Sequence, residues 1–144
     1  NDSATYGNVY GALYNWYTVE TGKLCPQGWH VSTDSEWVVL SDYLGGANVA
    51  GGKLKEKGLI HWLNPNSKAT NETGFTALPG GNRTFEGIFS NQGYYGYWWT
   101  STESTATNAL NRYMFYNNGN IIGFSHLKKY GFSVRCISTN NFKY

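Results

Sequence analysis

The stretch Leu24-Cys25-Pro26-Gln27-Gly28-Trp29-His30-Val31-Ser32-Thr33-Asp34-Ser35-Glu36-Trp37, continued by Val38-Val39-Leu40-Ser41-Asp42-Tyr43-Leu44-Gly45-Gly46, carries the clearest local signals in the chain. Thr33 followed by Glu36 has the form of a capping box, in which each side chain bonds the other residue's backbone N–H. Gly45-Gly46 supplies the stop, so a helix is predicted over Asp34–Leu44. Trp37, Leu40, Tyr43 and Leu44 make one apolar stripe expected to bury against a sheet, with Asp34, Ser41 and Asp42 facing water.

Upstream, Tyr6–Trp16 reads as an opening strand and bend, followed by a turn or short helix near Tyr14–Val19. Downstream, Val49–Glu56 has a weaker helical pattern. Gly51-Gly52 costs about 1 kcal/mol per glycine against Ala there, so the helix is not expected to hold over its whole length. From Gly58 to Tyr97, punctuation at Asn64-Pro65-Asn66, Leu78-Pro79-Gly80-Gly81-Asn82 and Asn91-Gln92-Gly93 marks a long loop region with brief strands. Loops longer than about 15 residues in a compact domain are usually functional or disordered, and the aromatics in this one argue against disorder. The last third alternates: Tyr97–Ser101, Asn111–Tyr116, Asn120–Phe124 and Tyr130–Ile137 are predicted strands of an antiparallel meander, with a turn at Asn118-Gly119.

The 144 residues, 40% hydrophobic and 14% charged, suit one core, and the chain reads as a single domain over 1–144 with its core in 6–138 and a short tail at Thr139–Tyr144. A net charge of +2 is far from the basic excess that phosphate binding needs, which excludes a nucleic-acid partner. The 17% aromatic content and 18 glycines fit strands and turns rather than a helix bundle. No apolar run of about 18 residues exists, so no membrane span is predicted. The sequence begins Asn1-Asp2-Ser3, and any export signal or anchor is expected to lie outside it. Cys25 and Cys136 belong to no zinc-type cluster. They read as a long-range disulfide of an extracytoplasmic protein, with two buried thiols as the alternative.

Several segments together resemble a known family. Tyr10-Gly11-Ala12-Leu13-Tyr14-Asn15-Trp16-Tyr17, the Leu24–Trp37 stretch, Gly74-Phe75-Thr76-Ala77-Leu78-Pro79-Gly80-Gly81-Asn82-Arg83, Gly96-Tyr97-Trp98-Trp99-Thr100-Ser101-Thr102-Glu103 and Tyr130-Gly131-Phe132-Ser133-Val134-Arg135-Cys136 look like the Fibrobacter succinogenes major paralogous (FISUMP) domain. Val31–Trp37 is also similar to a segment of the formylglycine-generating-enzyme group. That likeness implies an α+β, C-type-lectin-like fold: two helices, a twisted antiparallel sheet and a long ligand-binding loop region. The FISUMP resemblance implies an exported or surface domain of bacteria.

Catalysis is not expected. The formylglycine-generating oxidases bind copper through paired cysteines near the C-terminus, where this chain has only Cys136. His30, His61 and His126 are present, but no GxSxG elbow exposes a serine. Asp34 and Glu36 are accounted for by the helix cap. Glu103, closing a predicted strand near where C-type lectins place a calcium loop, is the one candidate metal ligand; Ca2+ needs six to eight oxygens, and the lectin motifs are missing. A structural, hydrogen-bonded Glu103 is the competing reading.

Trp16, Trp29, Trp37 and one of Trp98 or Trp99 are expected in the core, alternation sending the other outward. Trp62, Tyr94 and Tyr95 are candidates for exposure. The segment 108–129 mixes amides with aromatics in the manner of a paratope. The candidate ligand-binding residues are Arg83, Tyr94, Tyr95, Trp99, Asn111, Tyr113, Asn118, Asn120, Phe124 and His126. The expected role is a non-catalytic extracellular or cell-surface module that binds a surface polysaccharide or protein by aromatic stacking and amide hydrogen bonds. The alternatives are a self-associating subunit of a surface layer, stalk or filament, and a diversified C-type-lectin-like target-binding protein.

Overall fold

The computed structural model describes residues 3–139. The fold is α+β. After a π-helical turn at Ser3–Gly7 come α1 (Asn8–Tyr10), α2 (Trp16–Glu20), β1 (Trp29–Val31), α3 (Asp34–Tyr43), α4 (Ala47–Leu54), β2 (Asn82–Arg83), β3 (Phe89–Ser90), β4 (Tyr95–Glu103), β5 (Asn108–Phe115), β6 (Ile121–Leu127) and β7 (Cys136–Ser138). The central sheet is antiparallel in the order β4-β5-β6; β1 pairs with β7, and β2 with β3. The expected tail falls outside the described residues from position 140 on.

The capping box forms as read. Glu36 N–H donates to Thr33 Oγ1 at 3.2 Å, and Thr33 N–H donates back to the Glu36 carboxylate at 2.8 Å. His30 Nε2 lies 2.8 Å from the same carboxylate. Burial pushes the Glu36 carboxyl up, but the bonds from Thr33 and His30 outweigh it and hold the group below its ordinary value.

Three members of the expected α3 pattern differ, the first being Asp34, whose carboxylate turns to Arg112 of the central sheet rather than to water. Tyr43 is 86% exposed, whereas Ser41 is buried with its hydroxyl bonded to the Trp37 carbonyl at 2.7 Å. The helix turns its Trp37 and Ser41 side toward the sheet, and a hydroxyl satisfied within its own helix can be buried at little cost.

The second helix forms despite its glycines, and because of them. A Cβ on Gly51 would lie 2.1 Å from the Asn120 carbonyl oxygen, and one on Gly52 would lie 2.5 Å from that of Lys68. The missing side chains let α4 pack directly on backbone, with Gly52 N–H bonded to the Gly119 carbonyl at 2.9 Å. Just beyond, fully buried Lys55 donates to the carbonyls of Ser67, Phe115 and Asn118 at 2.8–3.1 Å and ties the long loop region to the sheet.

The predicted opening strand is instead helical, ending at Gly11, and only Tyr14 joins strand-like pairing, with Phe132. The predicted fourth meander strand is divided: Gly131, Phe132 and Ser133 bridge to Arg83, Tyr14 and Trp98 in turn, and Cys136–Ser138 leaves to pair with β1. Cys25 and Cys136 form a disulfide across 111 residues. Among the described residues no helix is long and apolar enough to cross a membrane.

Both faces of the central sheet are covered. Trp37, Leu44, Leu54, Trp62, Trp98, Met114 and Ile121 fill one side; Trp16, Val19, Val31, Trp99 and Phe132 fill the other. Alternation therefore sends both Trp98 and Trp99 into core, against the expectation that one faces outward. Trp62 is likewise 1% exposed, its indole N–H bonded to the Ala77 carbonyl at 2.9 Å. Trp29, expected inside, is 49% exposed on the short edge strand β1.

Candidate functional site

The face of the central sheet that carries Trp99 runs out into a continuous band of rings. Cross-strand register places Tyr95 opposite Phe115, Tyr97 opposite Tyr113 and Asn111 opposite Phe124, all on this face. Tyr95 stacks on Phe115 with centroids 4.3 Å apart and on Tyr97 at 5.3 Å; Tyr97 stacks on Phe132 at 4.9 Å. His126 stands edge-on to Phe132 at 5.2 Å, with Phe124 and Tyr130 beside it at 4.9 and 5.6 Å.

The hairpin β2–β3 lies over one end of this band and borders an open recess of about 250 Å³. One wall is aromatic: Tyr97, His126, Tyr130 and Phe132. The other is made of amides and hydroxyls: Asn82, Thr84, Ser90 and Asn91. Asn82 is buried and organises that wall, its Oδ1 accepting from Asn91 Nδ2 at 2.7 Å and from Ser90 Oγ at 3.3 Å.

The pocket is uncharged at neutral pH. Burial, then the neighbouring Tyr95, Tyr113 and Tyr130, drives the Tyr97 phenol well above its ordinary value. Burial, then Tyr95, moves Tyr113 in the same direction. Burial pulls His126 below its ordinary 6.5, which keeps the imidazole neutral. Its Nδ1–H donates to Asn111 Oδ1 at 2.8 Å and leaves Nε2 as an acceptor.

Of the residues read as ligand-binding, Tyr95, Tyr113, Phe124 and His126 come together on this band. Trp99 and Asn111 are on the same face but fully buried, and both are corrected to supporting roles. The Trp99 indole donates to the Tyr14 carbonyl at 2.9 Å, and Asn111 positions His126. α2 and the Phe132 segment cover this part of the sheet, a layer that local alternation does not reveal. Tyr94, though exposed, turns away to pack edge-on against Tyr116 at 5.5 Å. Asn118 and Asn120 belong to the turn next to α4, where the Asn118 carbonyl receives Lys55 and its side chain receives the Asn120 N–H. Arg83 lies on the far side of the β2–β3 hairpin.

The pocket's own residues Asn82, Thr84, Ser90, Asn91, Tyr97, Tyr130 and Phe132 were not in that set. Tyr97 shares the period of Tyr95, so alternation alone would have found it. The hairpin residues had no such signal, because only the fold brings them over the sheet. Glu103, the candidate calcium ligand, is ion-paired with Lys128, whose ammonium also lies 4.6 Å from the centre of the Trp16 ring. A protein cation already holds that carboxylate. Among the described residues no three His, Cys, Asp or Glu side chains converge to hold a metal ion.

The family model of the Fibrobacter succinogenes major domain matches residues 1–138. The chain belongs to this family. No curated protein and no solved structure matches the chain. Seen as a Fibrobacter succinogenes major domain, the matched region takes in the whole aromatic band, the pocket and both cysteines.

Proposed function

We propose that this domain is a non-catalytic, extracellular or cell-surface binding module that holds a neutral sugar unit of a glycan in the pocket between β2–β3 and the aromatic band. The observation that carries this reading is the pairing of opposite walls. A pyranose ring offers apolar C–H faces and a rim of hydroxyls; Tyr97, Tyr130 and His126 suit the faces, and Asn82, Thr84, Ser90 and Asn91 suit the rim. The uncharged state of the phenols and the imidazole fits a neutral ligand. The disulfide supports an oxidising, extracytoplasmic setting. The combination of helices, an antiparallel sheet and a long loop region supports a C-type-lectin-like fold, with the pocket on the loop side.

The test is a panel of uncharged oligosaccharides titrated into the protein by calorimetry, followed by the variants Tyr130→Ala and Asn91→Gly. Glycine keeps the positive φ of 64° at position 91 while removing the amide. The expected result is binding that weakens by about tenfold in either variant, with thermal melts showing that each variant remains folded at the temperature of the titration, in line with the value of a stacking contact or a hydrogen bond in a recess. An empty panel, or binding indifferent to both variants, overturns the proposal.

A further inference from the structure

Behind the β2–β3 hairpin lies a second, wider cleft of about 740 Å³, within the range of roughly 300–1,000 Å³ common for small-ligand sites. Asn82 and Ser90 line both this cleft and the small pocket, so the hairpin is a shared partition. The character of the two spaces differs. The cleft is walled by the rings of Tyr6, Tyr10 and Phe89 and contains Arg83 and Lys129, and none of its lining residues is acidic.

Four of the molecule's other cations are already engaged. Lys53, Arg112 and Lys128 are ion-paired with Glu72, Asp34 and Glu103, and Lys55 is buried among carbonyls. Arg83 and Lys129 are exposed and have no acidic partner among the described residues. Placing both in one concave, acid-free space raises the local positive potential and concentrates anions there. A guanidinium matches a carboxylate with a pair of parallel hydrogen bonds, and an ammonium beside it adds a point charge. Aromatic walls add nothing for a bare inorganic anion, but they suit a ring that bears the charge.

We infer that the cleft binds a carboxylate-bearing sugar, a uronic acid unit of an acidic polysaccharide, held by Arg83 and Lys129 against Tyr6, Tyr10 and Phe89. This deepens the proposed function and rests on its glycan reading: a chain lying across the hairpin would set a neutral unit in the small pocket and an acidic unit in the cleft.

The experiment compares an oligomer of galacturonic acid with an uncharged oligomer of glucose, by calorimetry at low and physiological salt. It uses the intact protein and the double variant Arg83→Gln/Lys129→Gln, whose exposed positions leave the core untouched. The expected result is tighter binding of the uronate oligomer, weakened by salt and reduced about tenfold in the double variant, with the binding of the glucose oligomer unchanged. Uronate binding that depends on Arg83 and Lys129 supports the inference even if the glucose oligomer does not bind. Glucose-oligomer binding with no preference for uronate, or an equal loss of both in the double variant, overturns the inference and leaves the glycan reading standing. Failure of both oligomers to bind overturns the inference together with that reading.

Discussion

One carboxylate oxygen of Asp34, Oδ1, lies 2.7 Å from Arg112 Nη2 and 2.8 Å from Arg112 Nε, joining the first residue of α3 to the middle strand of the central sheet. The Asp34 backbone N–H also donates to Thr102 Oγ1 at 3.0 Å, so the start of the helix is fixed to two strands. Arg112 is buried, and this carboxylate is its counter-charge. Asp34→Ala is expected to destabilise the fold by about 3 kcal/mol, because an arginine is left buried without its counter-charge. Urea denaturation measures this; a loss under about 1 kcal/mol would show that the pair is as dispensable as an exposed one.

Gly51→Ala inverts the usual rule. In an open helix interior the change stabilises by about 1 kcal/mol. Here the new Cβ would meet the Asn120 carbonyl oxygen at 2.1 Å, a backbone atom that cannot swing aside. The expected outcome is a loss of more than about 2 kcal/mol and displacement of the 117–120 turn from α4, read by thermal melts and by amide exchange at Gly52.

Glu36 makes stability depend on acid. Its folded value lies below the ordinary 4.5, so below 4.5 the unfolded chain takes up the proton first. The stability this group contributes is whole above 4.5 and is lost as pH falls through the folded value. Glu36→Gln retains a side-chain acceptor for the Thr33 N–H, costs about 1 kcal/mol at neutral pH and flattens the acid limb of the stability profile. Denaturation midpoints across pH 3 to 7 check both (a window set by the usual carboxylate range). An unchanged acid limb in the variant would assign the effect to other carboxylates.

The pocket has its own pH dependence through His126, whose folded value lies below 6.5. Its contribution to stability is present above 6.5 and is lost as pH falls through the folded value, where the imidazole acquires a proton among aromatic rings. Affinity for an uncharged oligosaccharide is expected to weaken over the same range. Proton NMR of the His126 ring, titrated with and without oligosaccharide, reads both; a midpoint at or above 6.5 would contradict the burial argument.

Removing the cross-link as Cys25→Ser/Cys136→Ser is expected to cost about 4–5 kcal/mol by the loop-entropy model for a closure of this length. β1 and β7 pair over only three positions, so exchange protection at His30 and Ile137, the pair whose N–H groups bond across this ladder, should collapse before that of β5. Uniform loss of protection would instead mean that the short sheet and the central sheet open as one unit.

The helix at Asp34, its capping box, the three strands of the central sheet and the pairing of Cys25 with Cys136 were all legible in the sequence, because each rests on a local pattern or on simple counting of cysteines. Misreadings arose where a residue's surroundings come from distant chain. Trp62 and Trp99 are closed off by segments far from them in sequence, and Gly51 is tolerated only because the Asn120 carbonyl arrives from the other end of the domain. The site followed the same division. Tyr95, Tyr113, Phe124 and His126 share a strand period and were readable; Asn82, Thr84, Ser90 and Asn91 join them only because the hairpin folds across the sheet. Sequence by itself thus determined the family, the α+β class and which residue types were on offer for binding. Tertiary structure alone decided which of them face a common space, since periodicity assigns a side chain to one side of its own strand or helix and is silent about what the rest of the chain lays over it.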